Sequence, residues 1–326
     1  MRGNSLSTLN AFTDEQKEYA KCLLATRVVQ MLGRKFEEGD WAYVYCQAKG
    51  IPESTWSNLH IDVMHNGLGV EHKMLCVGEG KSLMTYAGTT LMHPAATRSI
   101  RIASTDVAPE DAMQDVFEQY GSLIDQRSAR VQEKSHDGSA DMRTGWLIWE
   151  RSLTEFLYFE EPMVPPNADN FWAEWHESPA KGVRKPSKNL WIYEKATNKK
   201  RYSVTTNAGV KIQPYFDIPA PNDPNLVFFR VQGEELATGR ILIWISKTTA
   251  RELGSLLGQL DVNTLSIAIT EAAASAGQVA GDERVGEELA QPLEITKEAY
   301  SLLVTAWSGV SDEHRAQLFL QTIRGV

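Results

Sequence analysis

Cysteine is scarce in this chain. Its 326 residues hold three, Cys22, Cys46 and Cys76, in no CxxC pair. The odd count and scattered spacing exclude a disulfide framework, and the three read as buried, reduced thiols of a cytoplasmic protein. Long apolar runs are missing as well. No window approaches the ~18 uninterrupted apolar residues of a membrane-spanning helix, so no membrane association is expected. The opening stretch, MRGNSLSTLNAFTDEQKEYAK, has no apolar core ahead of its charges and does not read as a signal peptide. There is no GxSxG elbow, HExxH or GxGxxG. VGEGKS at 77–82 ends like a phosphate-binding loop but has Leu75 where that loop needs glycine, so no nucleotide cofactor is expected.

Positive charge is in the minority, with a formal net charge of −9. That argues against a protein coating nucleic acid along its whole length, but not against a local basic surface. Residues 181–203 carry such a surface. There Lys181, Arg184, Lys185, Lys188, Lys195, Lys199, Lys200 and Arg201 face only one acid, Glu194, with Trp191, Tyr193 and Tyr202 interleaved.

Periodicity predicts a helix over 14–34, capped by Thr13 or Asp14. The aromatic, β-branched WAYVYCQ (41–47) reads as a strand. NLHIDVMH (58–65) alternates, and Asn66-Gly67, the strongest short hairpin signal, leads to a return strand at 69–77. SIRIAS (99–104) reads as a further short strand, 109–132 as a helix, and 145–150 and 156–160 as strands. The Pro- and Asn-rich stretch at 160–170 marks a boundary. Beyond it the pattern gives a hairpin through the basic stretch, strands at 226–232 and 241–246, a helix at 248–260, a small-residue linker at 271–283, and helices at 295–307 and 312–323. The aromatic cluster Phe171, Trp172 and Trp175 reads as packing. The expected fold is α/β, a mixed central β-sheet flanked by helices. It divides into 1–165, a β-rich region at 166–262, and linker plus C-terminal helices at 263–326.

The chemistry concentrates in HIDVMHNGLGVEHK, residues 60–73. Period two places Glu71 and Lys73 on one face of the return strand. The turn brings Asp62, on the first strand, near Glu71. Two carboxylates with water suit Mg²⁺, a hard cation that activates bound water and offsets charge on a phosphate. A lysine beside that water can orient it. These residue types are what phosphodiester hydrolysis needs.

The residues resemble the PD-(D/E)XK nucleases, whose signature is an acid, a variable gap and (D/E)-x-K: here Asp62 and Glu71-His72-Lys73. Ile61 stands where the family often has proline. The resemblance covers roughly 14–160 and implies a core of helix, three strands, helix and strand, with the motif on the second and third strands. It implies Asp62, Glu71 and Lys73 as catalytic residues, Asp62 and Glu71 as Mg²⁺ ligands, and a further acid from the first helix, Glu15 or Glu18. It also implies a type II restriction endonuclease that cuts double-stranded DNA at a short specific sequence. Two-fold symmetric sites imply a homodimer, with the C-terminal helices as candidate contacts.

Recognition falls to the region after 165. Lys181, Arg184, Lys185, Lys188, Lys199, Lys200 and Arg201 are placed to neutralise phosphates, and Arg184, Asn198, Lys200 and Arg201 to read base edges. Two alternatives stand beside this reading: a structure-selective nuclease of repair or recombination, and a DNA-binding protein whose 58–77 hairpin is purely structural. A zinc site from His60, His65, His72 and Cys76 matches no standard spacing.

Overall fold

The computed structural model describes residues 9–30, 36–52, 61–78, 80–94, 100, 102, 104–179, 186–206, 211–274 and 290–307. The described fold is mixed α/β, built from three sheets and six helices.

Helix α1 (Asp14–Gln30) starts at a reciprocal cap. The Gln16 amide donates to Thr13 Oγ1 at 3.2 Å, and the Thr13 amide to Gln16 Oε1 at 3.1 Å, so two donors at the helix start find acceptors. Helix α2 (Glu38–Lys49) replaces the strand expected at 41–47. β propensity lost to local signals that were also in the sequence. Glu37 and Asp40 form a capping box, and Gly50 ends the helix in the left-handed region at φ 66°. Trp41, Val44, Tyr45 and Ala48 then fall at i, i+3, i+4 and i+7, and all four are buried.

The hairpin forms as expected. β1 (Val63–His65) and β2 (Leu68–Val77) pair antiparallel with His65 opposite Leu68. Asn66 at φ 41° and Gly67 at φ 82° make a two-residue turn of the primed type. Asp62 lies at a bend just before β1, not on the strand, although its amide still donates to the Val70 carbonyl at 3.1 Å. A short strand β3 (Thr90–Met92) follows, then α3 (Pro109–Glu133), β4 (Asp141–Glu150) and β5 (Glu155–Pro162). β4 returns parallel to β2 across α3, with Glu71 opposite Thr144 and Lys73 opposite Trp146. Of the expected strand at 99–104, residues 100, 102 and 104 are described and none is in a strand; the others lie outside the described residues.

The second region is β-rich: β6 (Phe171–Ser178), β7 (Ser187–Glu194), β8 (Lys200–Thr205), β9 (Lys211–Asp217), β10 (Val227–Arg230), β11 (Glu234–Glu235) and β12 (Ile241–Ser246). Helices α4 (Lys247–Leu257) and α5 (Val262–Ala274), strand β13 (Ala290–Ile295) and helix α6 (Lys297–Trp307) complete the described chain. The expected linker at 271–283 overlaps the end of α5 and otherwise lies outside the described residues, as does the helix expected at 312–323.

The first sheet runs β1-β2-β4-β5-β10, the second β3-β9-β8-β7-β6 and the third β11-β12-β13. Two strands cross the boundary drawn at 165: β10 joins the first sheet, and β3 the second. Three strands do precede α3, but the third lies in another sheet, so the expected helix, three strands, helix and strand do not form one core.

Helices α1 and α2 cover one face of the first sheet around Phe12, Trp41, Tyr45, Tyr158 and Phe229. Helix α3 packs between the first and second sheets. Its stripe of Met113, Val116, Phe117, Ile124 and Val131 is buried, and it also contains Arg127. The thiols differ from expectation. Cys46 is buried, Cys22 is half-buried and Cys76 is exposed near the end of β2. Among the described residues, no helix is long and apolar enough to cross a membrane.

Candidate functional site

The alternation of β2 sorts its polar residues onto two faces. Glu71 and Lys73 lie on the face toward α3, and His72 points toward α2. Glu71 is 2% exposed. Its two oxygens are divided between two cations: Oε1 pairs with Lys73 and Oε2 with Arg127 from α3. The Arg127 side chain is 3% exposed, whereas that of Lys73 reaches 16% and is the more accessible of the two.

Asp62 enters from the edge of the sheet. Its Oδ2 accepts a hydrogen bond from the His72 amide at 2.6 Å, which ties it to the strand carrying Glu71 and Lys73. Burial pushes the Asp62 carboxyl up to about 6. Glu38 and Glu71 add to the rise, while the His72 amide and Lys73 oppose it. Asp62, Glu71 and Lys73 are therefore within electrostatic reach of one another, as the hairpin reading required.

The acids that the resemblance points to on the first helix are Glu15 and Glu18. Glu18 is exposed on α1, as is Glu15, and neither acts on Asp62. Glu38, equally exposed in the first turn of α2, does, as a minor contribution. It was passed over because 41–47 read as a strand, which hid the helix start. Arg127 was missed too, although the sequence carried a signal for it. A charged residue on the buried stripe of an amphipathic helix is costly unless something pairs with it.

The opposite face of β2 holds a second polar cluster. The His72 ring, 1% exposed, meets Tyr45 edge-on at a centroid distance of 5.0 Å, with Trp41 and Tyr158 around it. Burial lowers its pKa to about 3, so the ring is neutral. Among the described residues Nε2 has no hydrogen-bond partner. Beside it, the Tyr45 and Tyr158 hydroxyls donate to Glu160 Oε1 at 2.8 and 3.0 Å, and Arg143 donates to Oε2 at 2.7 Å. The Glu160 carboxylate is thus fully engaged, and with the aromatic rings it forms a packed floor under the hairpin. His65 sits at the exposed turn, away from the caged His72, and His60 lies outside the described residues, so the zinc reading gains no ligand set here.

The donors fit Mg²⁺ in kind. That ion is held by one or two carboxylates and keeps several waters. Asp62 Oδ2 accepts from the His72 amide, and burial is the main reason that its carboxyl is raised. Among the described residues no group of three or more His, Cys, Asp or Glu is placed to hold a metal, at Asp62 and Glu71 or elsewhere.

The basic stretch is less free than its sequence implies. Lys181, Arg184 and Lys185 lie outside the described residues. Arg201 pairs with Glu194 at 3.1 Å and with Asp217 of β9 at 2.8 Å, and Lys199 pairs with Asp217 at 3.4 Å. Lys200 sits 3.5 Å over the Trp191 ring. Lys188 donates to the Thr105 carbonyl at 2.7 Å, and Asn198 accepts from Trp172 Nε1 at 3.2 Å. Long-range pairing across the sheet, invisible in a one-dimensional charge count, absorbs part of the charge.

No family model, curated protein or solved structure matches this chain. The likeness to PD-(D/E)XK nucleases therefore rests on Asp62, Glu71, Lys73 and the hairpin that carries them.

Proposed function

We propose that the protein is a Mg²⁺-dependent endonuclease of the type II restriction class, hydrolysing double-stranded DNA at a specific short sequence as a cytoplasmic homodimer. The observation that carries this reading is the grouping of Asp62, Glu71 and Lys73 at one hairpin, with Glu71 buried where charge is costly without a function.

Asp62 and Glu71 would hold the metal. When bound, the ion supplies an activated water and offsets charge on the phosphate. Lys73, the accessible cation of the site, orients that water or the phosphate oxygen beside it. The His72 amide keeps Asp62 in place, and the aromatic floor keeps β2 from shifting. Lys181, Arg184 and Lys185, which lie outside the described residues, would supply phosphate contacts in the recognition region, together with Lys188, Lys199, Lys200, Arg201 and Asn198.

The test is plasmid digestion by wild type and Lys73→Ala, with Mg²⁺ and with EDTA. Discrete fragments from wild type with Mg²⁺ alone are expected. A smear instead of bands moves the reading to a structure-selective nuclease. Equal cutting by Lys73→Ala moves the active site elsewhere.

One observation favours a second reading. Both oxygens of Glu71 are already satisfied by cations, which is how a structural ion-pair cluster looks. On that reading the protein binds DNA without cutting it, and binding persists in EDTA.

A further inference from the structure

Arg127 is a guanidinium in an apolar layer. Ile124 and Val131 flank it on α3, and Ile61, Met142 and Met163 complete the cluster around it. Its Nη1 lies 3.8 Å from Met163 Sδ and pairs with Glu71 Oε2. A buried guanidinium of this kind persists only when paired, and removing one partner of such a pair leaves an uncompensated charge. Lys73 holds the other oxygen on a flexible chain that reaches solvent. The two cations are thus unequal. The ammonium can leave Glu71 for solvent, whereas the guanidinium is sealed in the layer that holds it.

We propose that Arg127 is a positioning residue that keeps Glu71 Oε2 occupied, so that a divalent ion entering the site gains only Oε1, the oxygen that Lys73 gives up. This inference rests on the metal-site reading of Asp62 and Glu71. It assigns α3 a part in the site that the acid-x-Lys motif does not contain. It also makes Lys73 the moving part: the ammonium that vacates Oε1 is the one then available to the water or phosphate. Arg127 holds the site's affinity down, because its charge stands next to the carboxylate that must accept the ion.

Mn²⁺ binding to the full chain, measured by isothermal titration, tests it, with circular dichroism checking that each variant is folded. Wild type is expected to bind one Mn²⁺, and Asp62→Asn to abolish that binding. Arg127→Met should bind at least about tenfold tighter. Arg127→Lys keeps the charge and should bind within a few-fold of wild type. Arg127→Gln deletes the charge but keeps a donor, and it carries the same expectation if Arg127→Met does not fold. Unchanged or weaker binding in a folded charge-deleted variant overturns the proposal. Plasmid cleavage measured in parallel separates the two ideas. Tighter Mn²⁺ binding without cleavage sinks only the nuclease reading, and cleavage with an affinity indifferent to Arg127 sinks only this one. Absence of Mn²⁺ binding in every variant sinks both.

Discussion

The amide of His72 holds Asp62 Oδ2 at 2.6 Å, while the ring of the same residue is sealed among Trp41, Tyr45 and Tyr158 on the other side of the sheet. One residue thus joins the candidate site to the aromatic floor beneath it. Disturbing the ring should move the acid without touching any group that would meet substrate.

The strain of the site should be visible in stability. The folded Asp62 pKa, about 6, lies above the ordinary 3.8. A raised pKa stabilises the fold fully below the ordinary value, and that contribution is lost as pH rises through about 6. Asp62→Asn should therefore be more stable than wild type at pH 8, by on the order of 1 kcal/mol, while losing Mg²⁺-dependent cleavage. Urea unfolding of both proteins at pH 4 and pH 8 checks this. A variant less stable than wild type at pH 8 would contradict it.

His72 works in the opposite sense. Its folded pKa, about 3, lies below the ordinary 6.5. Its contribution is present above the ordinary value and is lost as pH falls from about 6.5 toward 3. His72→Phe should flatten the acid limb of a stability–pH profile. An unchanged acid limb would mean that the ring is more hydrated than its cage implies.

Gly145 is required by close approach. A Cβ there would lie 2.7 Å from His72 Nδ1 and would also collide with the Tyr158 hydroxyl. Both belong to the floor and have no room to withdraw. Gly145→Ala should cost about 1–3 kcal/mol. Thermal unfolding reads this directly, and a neutral substitution would show that the floor is softer than its packing.

Salt dependence should divide the basic residues. Replacing Lys181, Arg184 and Lys185 together with alanine removes three candidate phosphate contacts, which should flatten the slope of log K against log salt by roughly 2.7. Arg201→Ala mainly releases Glu194 and Asp217 and should change the slope much less. Fluorescence anisotropy with a duplex at several salt concentrations distinguishes the two. Equal slopes for both variants would remove 181–185 from the interface.

Much of this was legible in sequence, for local reasons. α1 carried a cap, α3 carried a proline in its first turn and an apolar stripe, and the β1–β2 hairpin followed from Asn66-Gly67. β12 was legible as an unbroken apolar run. α2 was misread because Trp41, Tyr43, Val44 and Tyr45 have strand-like propensities, while Glu37, Asp40 and Gly50 quietly framed a helix. The site was legible as a motif, but its environment was not. Arg127 meets Glu71 only through packing of α3 on β2, and Asp217 meets Arg201 only through the pairing of β8 with β9. The C-terminal layer was read as linker and helices. β13 and α5 were not foreseen, because small and mixed residues there show no clear period.

The pairing of β10 with β5 sets a timetable for synthesis. Phe228 completes the sheet opposite Leu157, yet it leaves the ribosome long after it. At roughly 5–20 residues per second, the open edge of β5 waits for several seconds. That edge presents Phe156, Leu157, Tyr158 and Phe159, an apolar strand of the kind that recruits foreign strands. The nascent chain is thus most vulnerable midway through its own translation, when the candidate site has been synthesised but the strand that closes its sheet has not. Chaperone demand should peak there, and slowing translation after residue 162 should lower the soluble yield.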